Sequence, residues 1–199
     1  MNLPNKLTVI RIILTPIFMF ALVCQFPFHY LAALIIFIAA SLTDMFDGKI
    51  ARARGLVTDF GKFLDPLADK MLTTAAFLGF IALGIGKGIV WIAFIVLFRE
   101  FMVSSIRLIA SSSGGKVIAA NIWGKLKTVF QMIAIIFALT AQQFVEILPL
   151  FSVPAEIVAV IASVLSVATT ILLWISAVLC VVSGVIYLLD NKDFIKDAK

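Results

Sequence analysis

One histidine and two cysteines are all that this 199-residue sequence holds of the side chains that usually bind soft metals or form nucleophile–base pairs. His29 lies in a short polar break after Pro27, where a surface or interfacial position is expected rather than a ligand role. Cys24 and Cys180 both sit in apolar runs without metal-ligand spacing, so they are expected to pack as small apolar residues. No nucleophile–base motif appears, and nothing calls for a covalent intermediate. Charge is also scarce. Only 14% of residues are charged against 63% hydrophobic, and the mean hydropathy is +1.17. A soluble domain is about half apolar and about a quarter charged. Such a chain would expose too much apolar surface in water, so its expected solvent is a bilayer. The sequence shows no internal repeat, low-complexity segment or cleavable signal, and nothing marks a second domain. A single catalytic domain over residues 1–199 is expected.

Where apolar residues are plentiful, they come in runs. A spanning helix needs about 20 mostly apolar residues. Six runs qualify, at roughly Leu7–Phe26, Tyr30–Arg52, Gly61–Leu83, Gly88–Ser111, Gly124–Leu148 and Glu156–Leu189. The breaks carry turn residues: Pro27, Gly84 with Gly86, Ser113-Gly114-Gly115, and Pro149 with Pro154. The expected fold is therefore an all-α integral membrane bundle of six transmembrane helices.

The basic residues orient it. Lys6 and Arg11 lie at the amino end, Lys49, Arg52, Arg54 and Lys62 around the second break, and Lys116, Lys125 and Lys127 around the fourth. Lys192, Lys196 and Lys199 form the tail, and the alternate breaks hold only Lys87. Excess Lys and Arg marks the cytoplasmic side. Both termini are expected there, which requires an even number of spans. The net charge of +5 then describes a basic cytoplasmic face that attracts anionic lipids and phosphorylated molecules. Nucleic-acid binding is not expected, because these residues are spread among membrane helices and short loops.

The most informative stretch runs from Asp44 to Asp69. Asp44 and Asp47 are three residues apart, and Asp65 and Asp69 four, so each pair shares one face of a helix. A loop of about eight residues would make the two helices neighbours and let the carboxylates converge. Converging like charges in a poorly hydrated site need cations or protons. Carboxylate oxygens suit hard divalent ions such as Mg²⁺ or Mn²⁺, and four can hold a pair of metals about 3.5–4 Å apart. Gly48 and Gly61 remove side chains beside them, so that a flat base or a diphosphate can approach the backbone. Arg52 and Arg54 stand ready for phosphate charge. Solvated loop residues or helix caps would explain one aspartate, not four at shared-face spacing.

At the basic end of the fourth and fifth runs, Arg107, Lys125 and Lys127 lie level with the aspartates. They suit a phosphate, or equally positive-inside bias and lipid headgroups. Arg99 lies near the middle of its run. Glu100 follows it but points about 100° away on a helix. An ion pair with another helix and a substrate role are both open for Arg99.

The pattern D-x2-D-G-x2-A-R-x8-G-x3-D-x3-D, filled here from Asp44 to Asp69, resembles the signature of the CDP-alcohol phosphotransferase family. That resemblance implies six transmembrane helices, a homodimer and a cytoplasm-facing site holding Mg²⁺ or Mn²⁺. It implies metal ligation by Asp44, Asp47, Asp65 and Asp69, with Asp69 also the general base. It further implies a CDP site at Asp44, Asp47, Gly48, Ala51, Arg52, Gly61 and Asp65. The amino end through Thr8 and Arg11, and the stretches around Arg99-Glu100, Arg107 and Gly124-Lys125-Leu126-Lys127-Thr128, are similar to the phosphatidylglycerophosphate-forming branch. This implies a multi-pass enzyme of the cell membrane that transfers a phosphatidyl group from CDP-diacylglycerol to soluble sn-glycerol 3-phosphate. The acceptor's phosphate would meet Arg107, Lys125, Lys127, Thr8 and Arg11. Other acceptors (phosphatidylglycerol, inositol phosphate or serine) would use the same chemistry. A divalent-cation transporter is the alternative from another class, but it predicts acidic groups spread through the membrane depth rather than gathered at one end.

Overall fold

The computed structural model describes the backbone of residues 3–54, 59–112 and 122–191, and the side chains of 5–43, 68, 70–107 and 122–191. Each of the six apolar runs of the sequence corresponds to one helix, to within a few residues. In chain order these are α1 (Leu3–Val23), α2 (His29–Arg54), α3 (Asp59–Leu83), α4 (Ile89–Ser112), α5 (Ile122–Ile147) and α6 (Ala155–Asp190), with a 3₁₀ turn at Leu148–Phe151 before α6. A helix satisfies its backbone N–H and C=O groups within itself, which is what a chain without access to water requires.

The boundaries move in one instructive place. α2 continues to Arg54 and α3 starts at Asp59, so residues 55–58 alone separate them, fewer than the eight expected. The breaks at Pro27, at Gly84 with Gly86 and at Pro149 with Pro154 fall between helices as read, while Ser113-Gly114-Gly115 lies outside the described residues. Gly84, Gly86 and Gly88 adopt φ values of 66°, 91° and 74°, which a residue with a Cβ rarely tolerates. Pro16 lies inside α1, and Thr15 beside it turns its hydroxyl to the Arg11 carbonyl at 2.9 Å.

Among the described residues, four helices are long and apolar enough to cross a membrane: Asn5–Val23, Ile89–Arg107, Ile122–Phe151 and Ala155–Asp190, with hydropathies of 2.0, 2.0, 1.8 and 2.5. Within α2 and α3 the described residues include the shorter apolar stretches His29–Thr43 and Lys70–Leu83. The surface agrees with a multi-pass membrane protein. α4 turns Trp91, Phe94, Phe98 and Phe101 outward, and α6 does so with Val160, Val164, Val167, Ile171, Val178, Val181, Val185 and Leu189. A soluble monomer does not expose apolar stripes of that length.

The principal contacts form a circuit. α1 touches α2, α2 touches α5, α5 touches α6, α6 touches α4, α4 touches α3, and α3 returns to α1. Phe18, Phe37, Phe77, Phe80, Ile92, Ile135, Leu139 and Leu173 fill the core between them. Phe18 and Phe37 meet at 5.6 Å between ring centroids, tilted by 51°. Cys180 is buried and both cysteines are free, as expected. His29 is buried rather than superficial. Its ring Nδ1 lies 3.1 Å from the Leu22 carbonyl, because the chain reverses tightly enough to fold the histidine back on the end of α1.

Removing core volume should be costly and removing lipid-facing volume should not. Phe37→Ala is expected to destabilise the protein by about 3 kcal/mol or more, measured by thermal unfolding in detergent micelles. Trp91→Ala, on the outer face of α4, is expected to change stability by less than about 1 kcal/mol.

Candidate active site

The aspartates belong to the two helices joined by residues 55–58. Counted back from Arg54, Asp44 lies ten residues into α2. Counted forward from Asp59, Asp69 lies ten residues into α3. Each is thus about 15 Å along its axis at about 1.5 Å per residue. Asp47 and Asp65 lie seven and six residues in, at about 10 Å and 9 Å. The four-residue link bridges at most about 18 Å, so the joined ends stay close and the two pairs fall at matching registers. The side chains of Asp44, Asp47, Asp65 and Asp69, and of Ala51 and Arg52, lie outside the described residues, as do the surroundings of Gly48 and Gly61. Their placement here is by helix register.

Among the described residues no three His, Cys, Asp or Glu side chains gather as a metal site. The donor chemistry of the aspartate set nevertheless fits one class of ion. It offers carboxylate oxygens alone, the ligands of hard divalent cations.

α1 packs against both α2 and α3. Its first half presents Asn5, Thr8, Arg11 and Thr15, all buried, at spacings that keep them on one side of the helix. Asn5, Thr8 and Arg11 each have an interaction partner. The two sequence candidates on this helix, Thr8 and Arg11, thus belong to a buried polar face of the helix that touches both aspartate-bearing helices. Asn5 and Thr15 extend that face.

The cationic candidates divide differently from the expectation of one cluster. Lys127 is 5% exposed and Arg99 9%. The Lys127 ammonium donates to Glu100 Oε1, and Arg99 Nη1 donates to the same oxygen at 3.3 Å. The expectation that Glu100 points away from Arg99 holds for the Cα–Cβ directions but fails for the side-chain ends. Both chains are long enough to curve back and meet. Arg107 and Lys125 are exposed. The Arg107 guanidinium lies 5.5 Å from the centroid of the Tyr187 ring, an attraction between a cation and a π face. No hydrogen bond or ion pair among the described residues joins Arg107 or Lys125 to Lys127.

Arg99 packs beside two glycines, and one of them leaves it the room it needs. A Cβ at Gly184 of α6 would stand 3.1 Å from Arg99 Cγ, and one at Gly124 of α5 would stand 3.8 Å from Arg99 Nη2. Lys70, the residue after Asp69 on α3, lies within electrostatic reach of Glu100. The α4–α5 cluster is therefore close to the aspartate-bearing stretch of α3. Sequence reasoning missed Glu100 as the common partner and Lys70 as the link. The available signal for Glu100 was that a carboxylate beside an arginine deep in an apolar run must be paired. Gln131, one turn beyond Lys127 and 3% exposed, continues the buried polar face of α5.

Comparison with known proteins adds an independent line. The family model for CDP-alcohol phosphatidyltransferase matches residues 1–182. A CDP-diacylglycerol–glycerol-3-phosphate 3-phosphatidyltransferase of Bacillus subtilis is 44% identical over 146 residues, covering 67% of this chain and 74% of its own length. A probable phosphatidylglycerophosphate synthase of Mycobacterium tuberculosis is 41% identical over 137 residues, covering 67% of this chain and 64% of its own length. A CDP-diacylglycerol–glycerol-3-phosphate 3-phosphatidyltransferase of Pseudomonas fluorescens is 35% identical over 147 residues, covering 70% of this chain and 72% of its own length.

The packing of Arg99 is directly testable. Gly184→Val should press on its stem and lower stability by about 1–3 kcal/mol, the range for overpacking, while Gly184→Ala should cost less. Thermal unfolding in micelles measures both.

Proposed function

The chain belongs to the CDP-alcohol phosphatidyltransferase family, and on that premise we propose that it transfers the phosphatidyl group of CDP-diacylglycerol to sn-glycerol 3-phosphate, giving phosphatidylglycerophosphate and CMP. One observation carries the acceptor. The relatives matched at 35–44% identity are named for glycerol 3-phosphate or for phosphatidylglycerophosphate. The buried cations Arg99 and Lys127 support a phosphorylated acceptor over a neutral one. Membership in a transferase family also removes the reason to read the aspartates as an ion path.

In this reading residues 1–199 form one catalytic domain of six spans in the cell membrane, with both termini and the active site facing the cytoplasm. The length of α2 and α3 supports the two additional spans. At 26 and 25 residues they reach about 39 and 37 Å, enough to cross a hydrocarbon core of about 30 Å. The protein works as a homodimer, as the family resemblance implies. The acyl chains of the donor stay among lipids while its diphosphate reaches the seam between α2 and α3.

Asp44, Asp47, Asp65 and Asp69 would hold two divalent ions, Mg²⁺ or Mn²⁺, as cofactors. Bound there, such ions supply positive charge that offsets the diphosphate and the leaving phosphate. The residues of the chain do the rest. Gly48, Ala51 and Gly61 leave room for the cytidine, and Arg52 meets phosphate charge. Lys127, with Arg107, Lys125, Thr8 and Arg11 around the same end of the bundle, receives the acceptor's phosphate. Asp69 accepts the proton of the acceptor's primary hydroxyl. That oxygen forms a bond to the phosphorus carrying diacylglycerol, the bond to the bridging oxygen breaks, and CMP departs with the electron pair. General-base assistance of this kind contributes about 10²–10⁴ in rate.

With both substrates and Mg²⁺ or Mn²⁺, the purified protein is expected to release CMP, and a chelator to stop it. Offering phosphatidylglycerol, inositol phosphate or serine instead should yield no lipid product. Asp69→Asn is expected to lower turnover by about 10²-fold or more; near-wild-type turnover would remove it as the base. Asp44→Ala is expected to raise the metal concentration needed for activity, and an unchanged metal dependence would refute the ligand assignment.

A further inference from the structure

Three helices meet around a single carboxylate oxygen. Glu100 Oε1 accepts from Lys127 on α5 and from Arg99 on α4, and α6 closes over Arg99 at Gly184. Two cations and one anion leave a net charge of +1 in a cluster whose side chains are 6–13% exposed. An ion cluster that served only to join helices would be expected to balance, since unpaired charge between membrane helices is costly. Among the described residues this one does not balance, and it has donors to spare. Lysine carries three and arginine five, and Arg99 Nε has no hydrogen-bond partner among the described residues.

We propose that Glu100 is a positioning residue for the acceptor's phosphate. By drawing Lys127 and Arg99 to one oxygen it overcomes their mutual repulsion and restrains the flexible lysine stem. It thereby holds Lys127 at the level of Lys70, next to Asp69 on α3. It supplies too little charge to neutralise both cations, so an anion completes the site. A phosphate monoester, with two negative charges and several acceptor oxygens, matches the remaining need. The inference rests on the functional reading above, in which Lys127 serves the acceptor's phosphate.

A double-mutant cycle on the full-length protein in lipid–detergent micelles tests it, with glycerol 3-phosphate and CDP-diacylglycerol varied separately. Glu100→Gln is expected to raise KM for glycerol 3-phosphate about tenfold or more, the effect of losing a charge-assisted hydrogen bond. KM for CDP-diacylglycerol should stay within about twofold, because the donor is held elsewhere. Lys127→Met should raise the acceptor KM as well, and adding Glu100→Gln to it should produce no further rise, since the carboxylate acts through the lysine. An unchanged acceptor KM in Glu100→Gln would overturn the proposal. So would an equal rise for both substrates, a loss confined to kcat, or full additivity in the double variant. If Glu100→Gln does not accumulate in membranes, Glu100→Asp enters the same cycle. It keeps the charge one methylene short, and its smaller rise should likewise vanish beside Lys127→Met. A wild-type protein that releases no CMP with glycerol 3-phosphate would overturn the functional reading itself. An active wild type with an indifferent Glu100 would overturn only the positioning role.

Discussion

Between lipid tails a backbone has no water to bond, and every other feature of this chain is arranged around that condition. Helices satisfy their own amides, so the apolar runs become helices and polar side chains turn away from lipid. α6 shows the result along one element. Val160, Val164, Val167 and Ile171 face outward while Thr169, Ser176 and Ser183 are buried. Helices joined in a circuit provide an interior in which polar groups find one another. The buried polar face of α1 and the charged residues of α4 and α5 both use it.

Charge follows the same rule more strictly. Arg99 lies deep in α4, where it is tolerable only with a partner. Glu100 provides one and draws in Lys127 across the helix boundary. Room for this had to be made by absence. Gly184 stands where a Cβ would crowd the arginine, while Gly124 lies at ordinary contact distance from it. Gly184, which reads in sequence as an ordinary small residue of a membrane helix, thus has a steric role tied to one side chain. The contact of α3 with α4, and the electrostatic reach from Lys70 to Glu100, bring this cationic region close to the stretch that carries Asp69. In the proposed reaction, which moves a phosphatidyl group from a diphosphate donor to a phosphorylated alcohol, carboxylates and cations would act side by side.

The pairing of the aspartates on helix faces is a sequence reading because its signal is local. Spacings of three and four residues are properties of any helix, and the segment 55–58 is too short to separate the two helices widely. The cationic side was legible only in composition. Lys127 and Lys125 are two residues apart and look equivalent on a line. The fold buries one against Glu100 and leaves the other exposed, because a two-residue step turns a helix by about 200°. His29 was misplaced for a related reason. A polar residue in a break ordinarily faces water, but here the reversal packs it against the end of α1.

The sequence by itself determined the solvent, the helical class, the helix limits to within a few residues, and the chemistry of the oxygen-rich aspartate set. These follow from hydropathy, from periodicity and from donor type, which are properties of short segments. The tertiary structure alone decided that α1 lies against both aspartate-bearing helices, that Glu100 joins Arg99 to Lys127, and that Gly184 shelters that junction. Each of these depends on which helix neighbours which. Contacts between residues far apart in the chain are set by how whole helices pack, a quantity no single segment carries.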